Sequence, residues 1–259
     1  MSESLSRSLT RYCLTLLWQR RSSLLVCLII PLLGWSLPLL TPWQAQATLL
    51  QPARVQTAWM LSWLSLVLFF LFQAASLGRE LSSCGLLEHS DAAGRKWSRA
   101  LFPILGSVGG WVVAALLPVL ALSWACRPAL AAEAMAWNVL LLQQALLFFI
   151  SAPGLLGLAA AIGTRFSQAV ACLAPFSLWL VGWAISPWLE SWLLQVLPGP
   201  GGVLIHLLPR YDLADLTARL TFKLGPLPTA PFAHICLVLM MQSLGLIFIS
   251  RGITRGIGR

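Results

Sequence analysis

The chain has 259 residues, 58% of them hydrophobic and only 10% charged, with a mean hydropathy of +0.82. Soluble domains carry about 25% charged residues, so this composition excludes an ordinary water-soluble domain and points to a bilayer. The formal net charge of +9 is scattered over separate segments, which argues against a nucleic-acid partner and suits contact with anionic membrane lipid.

Residues 1–22 are predicted to form an interfacial elbow helix. Leu5, Leu9, Tyr12 and Leu16 fall on one face at helical spacing and Arg7 and Arg11 on the other, although Leu14 and Trp18 interrupt the polar side. Six apolar runs follow, each close to the ~20 residues a span requires: 23–40, 57–77, 100–122, 136–162, 169–188 and 232–250. None holds Asp, Glu, Lys or Arg in its interior. A charge at mid-bilayer costs about 2.5–3.5 kcal/mol, so the runs are suited to lipid and lack the intramembrane carboxylates that proton relays and ion-coupled carriers keep. Ala45-Gln46-Ala47 after the first run resembles a signal-peptide cleavage site. The basic leader and the apolar run are both longer than in a signal peptide, so an uncleaved first span is predicted.

Charge gathers in one place, the stretch GRELSSCGLLEHSDAAGRKWSRALF at 78–102. Arg79-Glu80 closes the second span and Gly85 breaks the chain. Leu86 and Leu87 then project apolar surface from a polar loop, and Ser90 or Asp91 can cap the next helix. Arg95, Lys96, Trp97 and Arg99 stand where the third span begins. In that span Gly106 and Gly110 form a GxxxG pair, a helix-packing signal. Pro103, Pro118, Pro153 and Pro175 are expected to kink or loosen their helices. Trp59, Trp97, Trp124, Trp137, Trp188 and Trp192 lie near span ends, where interfacial anchoring is expected.

The segment 187–231 is too long for a turn and too short and apolar for a folded domain. Trp188, Trp192 and Leu193 are read as one face of a short helix, broken by Pro198-Gly-Pro-Gly-Gly202. A second short helix, capped by Asp212, would carry Leu213, Leu216 and Leu220 on one side. Irregular backbone at membrane depth needs cover from protein, so a broken or re-entrant segment is expected on the outer mouth of the bundle. The fold class is thus all-α and polytopic: the elbow at 1–22, then one six-helix domain at 23–259 with a cytoplasmic loop at 78–99 and an extracytoplasmic segment at 187–231.

Twelve of the seventeen Lys and Arg residues fall on the side that holds both termini, so both termini are expected in the cytoplasm. The expected site is a bacterial inner membrane. The six cysteines show no CxxC pair, and no HExxH, GxSxG or GxxxxGK[ST] sequence occurs. No cofactor or metal is expected, and the chain has no phosphate-cradling loop of its own. From the residues alone, a docking loop at 78–99 competes with a solvated loop. A transport subunit likewise competes with a membrane scaffold or assembly factor and with an intramembrane enzyme.

The order of features resembles the membrane subunit of ABC transporters of the ABC-2 type. Those permeases have an elbow helix, six spans, a loop between spans two and three that docks on the ATPase, and short helices before the last span. Glu80, Gly85, Leu86 and Leu87 match the first half of the family's loop, and Gly94-Arg95-Lys96 is similar to its basic approach to span three. The family's Pro-x-Ser-Arg element is absent, with HSDAAGR in its place; LLPRYDLADLT at 207–217 looks like the family's outer segment. The resemblance implies a non-enzymatic exporter subunit, paired with a second copy or a paralogue and driven by ATP hydrolysed on a separate ATPase subunit. It makes Leu86 and Leu87 the docking contact and Glu80 and Arg95 its polar supports. The loop would act as a lever that tilts spans one, two and five.

Overall fold

Every regular element among the described residues is helical. The computed structural model describes residues 2–40, 47–85, 101–196, 209–222 and 224–255. In lipid a helix satisfies its backbone groups within itself, which is why apolar runs of this length fold this way.

Helix α1 (Ser2–Gln19) ends at a sharp break before α2 (Ser22–Ser36). Arg21 makes the break with φ 49°, the one positive φ at a non-glycine residue among those described. A 3-10 turn, Leu37–Leu40, completes the first span. The second runs without interruption from α3 (Ala47–Ser65) through a π-helical stretch, Leu66–Phe70, into α4 (Leu71–Ser83). Helices α5 (Leu101–Ala125) and α6 (Ala131–Gly163) form the third and fourth. The fifth joins α7 (Gln168–Leu180), a second π stretch, Val181–Ile185, and α8 (Ser186–Val196). A 3-10 turn (Tyr211–Ala214) and the short α9 (Thr217–Thr221) precede α10 (Thr229–Arg255). Six of these helical stretches are long and apolar enough to cross a membrane.

One end of the bundle carries the α1–α2 break, the end of α4, the α6–α7 turn and the end of α10. It is called the near end here, and the opposite end, with residues 209–228, the far end. Helix α6 is the axis: from Ser151 to Gly163 every residue is buried except the half-buried Pro153. Its neighbours α4, α7 and α10 surround it. The outer faces of α2, α7 and α10 expose large apolar side chains such as Leu28, Leu173 and Phe248, as lipid-facing surfaces do.

Helices approach most closely where small residues meet backbone. A Cβ built on Gly78 of α4 would lie 2.1 Å from the Ala160 carbonyl oxygen of α6. One built on Gly163 would lie 2.3 Å from the carbonyl oxygen of Ala75. The two contacts are reciprocal, an Ala-x-x-Gly face on each antiparallel helix. Gly34 packs closely on Ala58, and Gly154 on Ser243, where a built Cβ would lie 2.7 and 2.8 Å away. A Cβ built on either member of the expected pair, Gly106 or Gly110, would meet nothing within 4 Å among the described residues: the two glycines line open clefts, Gly106 beside α6 and Gly110 beside α1 and α2.

Several sequence expectations change in detail. Helix α1 buries Cys13 and Leu17, with Leu9 and Leu16 half-buried, while Tyr12 is exposed. The reason is its seat on α5, where Ser107 Oγ donates to the Thr10 carbonyl at 3.3 Å; this centres the buried face on Cys13 and Leu17 and leaves Tyr12 outside it. Trp59 and Trp137 are core residues rather than interfacial anchors, and the Trp137 Nε1 donates to the Ser123 carbonyl at 3.0 Å. Trp124, Trp188 and Trp192 are exposed as expected; Trp97 lies outside the described residues. The helix over Trp188–Leu193 is not separate. It extends span five, burying Leu193 while the two tryptophans point outward. Neither π stretch contains a proline, so the two departures from α geometry fall away from Pro103, Pro118, Pro153 and Pro175.

Candidate functional site

At the near end, three elements meet on one cation. Arg20 sits in the break between α1 and α2. Its NH1 donates to Gln73 Oε1 at 2.6 Å and its NH2 pairs with Glu80, both on α4. Gln73, almost fully buried, also donates from Nε2 to Ser22 Oγ at 3.3 Å, at the start of α2. The break is therefore locked onto the end of span two. Two residues past Glu80, Ser82 Oγ donates to the Thr164 carbonyl at 3.1 Å and ties α4 to the end of α6. Helix α4 then stops: the Cys84 and Gly85 amides donate to the carbonyls of Glu80 and Ser82, and Gly85 takes φ 64°, a left-handed ending that glycine adopts without strain.

Of the sequence-predicted coupling residues, Glu80 and Gly85 are placed. Glu80 lies within a helix that continues to Ser83, three residues further than the predicted end at Arg79-Glu80. Leu86, Leu87 and Arg95, with Ser90, Asp91 and Trp97, lie outside the described residues, as do Ala45 and Gln46 and the Pro198–Gly202 break. Arg20 and Gln73 were missed by sequence reasoning. A glutamine inside an apolar span is a signal that could have found the second. The same corner holds two groups raised above their ordinary pKa. Burial, then the nearby Glu80 charge, pushes the Cys13 thiol up to about 11. Desolvation, followed by Cys84 and Glu80, raises the Tyr12 hydroxyl.

At the far end, residues 209–228 are stitched to the bundle by glutamines. Gln143 of α6 makes a two-way contact with Leu227, donating to its carbonyl and accepting from its amide, both at 2.9 Å. The adjacent Gln144 accepts from the Leu216 amide at 2.6 Å. Gln242 of α10 accepts from the Arg210 amide, and Gln56 of α3 accepts from the Thr221 hydroxyl. Arg210 pairs with Glu190 of α8 at 2.8 Å and with Asp212 at 3.0 Å. Burial alone would lower its pKa, but the hydrogen bonds and charges of Asp212 and Glu190 raise it overall. Asp212 therefore serves this ion pair, and the expected cap does not form: Leu216 holds the N-cap position of α9, while Asp215 beside it accepts from the Thr217 amide and hydroxyl. Tyr211 is buried against Gly182 in the second π stretch, and this burial raises its pKa.

Between the ends lies an aromatic core. Trp63 of α3 stands 4.6 Å from Phe148 of α6 and 6.4 Å from Trp179 of α7, and Trp179 stacks on Trp183 at 5.5 Å. The indole nitrogens of Trp59, Trp63 and Trp179 and Nε2 of Gln144 have no hydrogen-bond partner among the described residues. This core therefore supplies free hydrogen-bond donors. No group of three or more His, Cys, Asp or Glu suited to a metal occurs among the described residues.

The fold and these features define the class: an all-α, multi-pass membrane protein. No family model, curated protein or solved structure matches the chain.

Proposed function

We propose that the chain is the membrane-spanning permease subunit of an ABC transporter. It exports its cargo on work done by a separate ATPase subunit and functions as a pair with a second copy or a paralogue. It lies in a bacterial inner membrane with the near end, and so both termini, in the cytoplasm. Twelve of the seventeen Lys and Arg residues belong to the segments that this orientation assigns to the cytoplasm, which supports it.

One observation carries the reading. The end of span two, from which the 84–100 segment departs, is tied through Arg20 to both the elbow helix and the first span. Span two is also locked to span four through the Gly78 and Gly163 contacts. A force applied to the loop after Ser83 would thus move spans one, two and four together, as a coupling lever requires. The ordered set of elements supports it too: a helix broken from the first span, six spans, and two short helical turns before the last.

The test is co-purification from native membranes. The wild-type chain should carry a P-loop ATPase with it. Changing Leu86 and Leu87 to Asp should abolish that co-purification while leaving membrane insertion intact. An ATPase retained at normal yield by the double variant would overturn the docking assignment, and no ATPase with the wild type would overturn the function.

A further inference from the structure

Arg54 is the one charged side chain that is buried among the described residues, at 7% exposure. It stands on α3 at the far end, three residues before the second apolar run begins. The end of α2 fixes its position. The guanidinium carbon lies 3.6 Å from the Trp35 ring centre, and Nε donates to the Trp35 carbonyl at 3.2 Å. One turn along α3, Ala58 packs on Gly34, so the two helices touch closely beside the cation. Cys126 at the end of α5 is near as well: burial raises its thiol pKa, and the Arg54 charge opposes that rise.

The chain offers this cation no counter-charge. No acidic residue occurs in 22–79 or 92–132, the stretches that build spans one to three and their far-end connections. Of the far-end carboxylates, Glu190 and Asp212 pair with Arg210, Asp215 accepts from Thr217, and Glu133 has a partner of its own. The two terminal nitrogens of Arg54 donate to no described residue. Unlike the indole nitrogens of the aromatic core, they are not fully enclosed. A guanidinium keeps its charge when buried, and a buried charge without a partner is costly. The group is held by its body and open at an edge that carries both terminal nitrogens. That fork suits an oxyanion of the phosphate type.

The surface leading to it is oily. Leu28, Leu32, Trp35 and Leu39 recur at spacings of 4, 3 and 4, and all four are exposed, so an apolar stripe runs up α2 to the cation. We propose that Arg54 anchors the phosphate of an anionic phospholipid whose acyl chain lies along this α2 stripe. The stripe assigns the phosphate to a lipid and not to a free solute. A net negative headgroup supplies the charge that the chain withholds, whereas a choline lipid brings a cation of its own beside Arg54. The proposal does not depend on the transporter reading, because its test measures lipid binding and not transport.

The full chain, delipidated in a neutral detergent, is titrated with palmitoyl-oleoyl phosphatidylglycerol or phosphatidylcholine, and the affinity of the first bound lipid is read by native mass spectrometry. The glycerol lipid should bind about fivefold or more tightly than the choline lipid. Arg54→Gln should weaken glycerol-lipid binding by about tenfold. Arg11→Gln removes an exposed cation at the near end and should leave that affinity within about twofold. Arg54→Lys keeps the charge but loses the fork, and should weaken binding by about threefold. Thermal unfolding checks that each variant is folded. Equal binding of the two lipids by the wild type would overturn the proposal, as would an equal loss in Arg11→Gln. Undiminished binding by folded Arg54→Gln, or by Arg54→Lys should the glutamine variant not fold, would also overturn it. So would displacement of the lipid by millimolar glycerol phosphate, since the ligand would then come from solution.

Discussion

Cys13 and Cys84 lie in the same near-end corner, yet their surroundings differ completely. Cys13 has no exposed surface, while Cys84 is exposed at the end of α4. The thiolate is the reactive form. With the Cys13 pKa pushed up to about 11, about one thiol in a thousand is ionised at pH 8. In a variant keeping only these two cysteines, maleimide at pH 8 should label Cys84 in the folded protein, and Cys13 only after denaturation. Labelling of Cys13 at the rate of Cys84 would show that α1 does not lie on α5. The same corner shows how far single residues could be read in the sequence. Glu80 and Gly85 were visible because charge and glycine are rare here. Arg20 looked like one of four basic residues before the first span, and nothing local marked it as the partner of residues 53 and 60 positions away.

At the scale of elements, the spans were the easiest feature to find, because their length and lack of charge follow from the bilayer alone. Their faces were not. Gly106 and Gly110 carry the familiar spacing but a Cβ on either meets nothing within 4 Å among the described residues, whereas Gly78 and Gly163, outside any GxxxG pair, hold the tightest helix contact. A glycine's role depends on which backbone faces it. Gly78→Ala would place a methyl group 2.1 Å from a carbonyl oxygen that cannot rotate aside. It should cost about 1–3 kcal/mol, read as earlier unfolding in mixed micelles. Gly106→Ala should stay within about 0.5 kcal/mol of wild type. If Gly78→Ala unfolds with the wild type, α4 and α6 are not packed as described. The π stretches were hidden for a similar reason: LVLFF and VGWAI read as ordinary apolar sequence.

Across the whole molecule, the two ends are closed by different means. The near end uses an ion pair and one glutamine; the far end adds to the Arg210 ion pairs a set of neutral glutamines on α3, α6 and α10 that bind the irregular chain. Irregular backbone against a membrane bundle must have its polar groups met by protein. Gln143→Leu would leave the Leu227 amide and carbonyl unpaired, at about 1–3 kcal/mol for each group that stays buried. With Gln144→Leu added, trypsin should cut at Arg210 and Arg219 faster than in the wild type, with the six spans intact. Unchanged cleavage would mean that other contacts, such as the Arg210 ion pairs, hold the segment by themselves.

The sequence alone determined the class of the protein, the number of its spans and their approximate positions, because hydrophobic length and the high cost of charge in lipid act on each run separately. It also predicted a break at Gly85 and irregular structure before the last span, since both are local properties of the chain. The tertiary structure decided what lies between the runs. It paired Arg20 with Glu80, chose Gly78 over Gly106, moved Trp59 and Trp137 into the core, drew Asp212 into an ion pair with Arg210, and brought Gln51, Arg127 and Arg219 around one cavity. Each of these depends on the rotation and depth of one helix against another, and in a chain where most residues are apolar, composition leaves that rotation open.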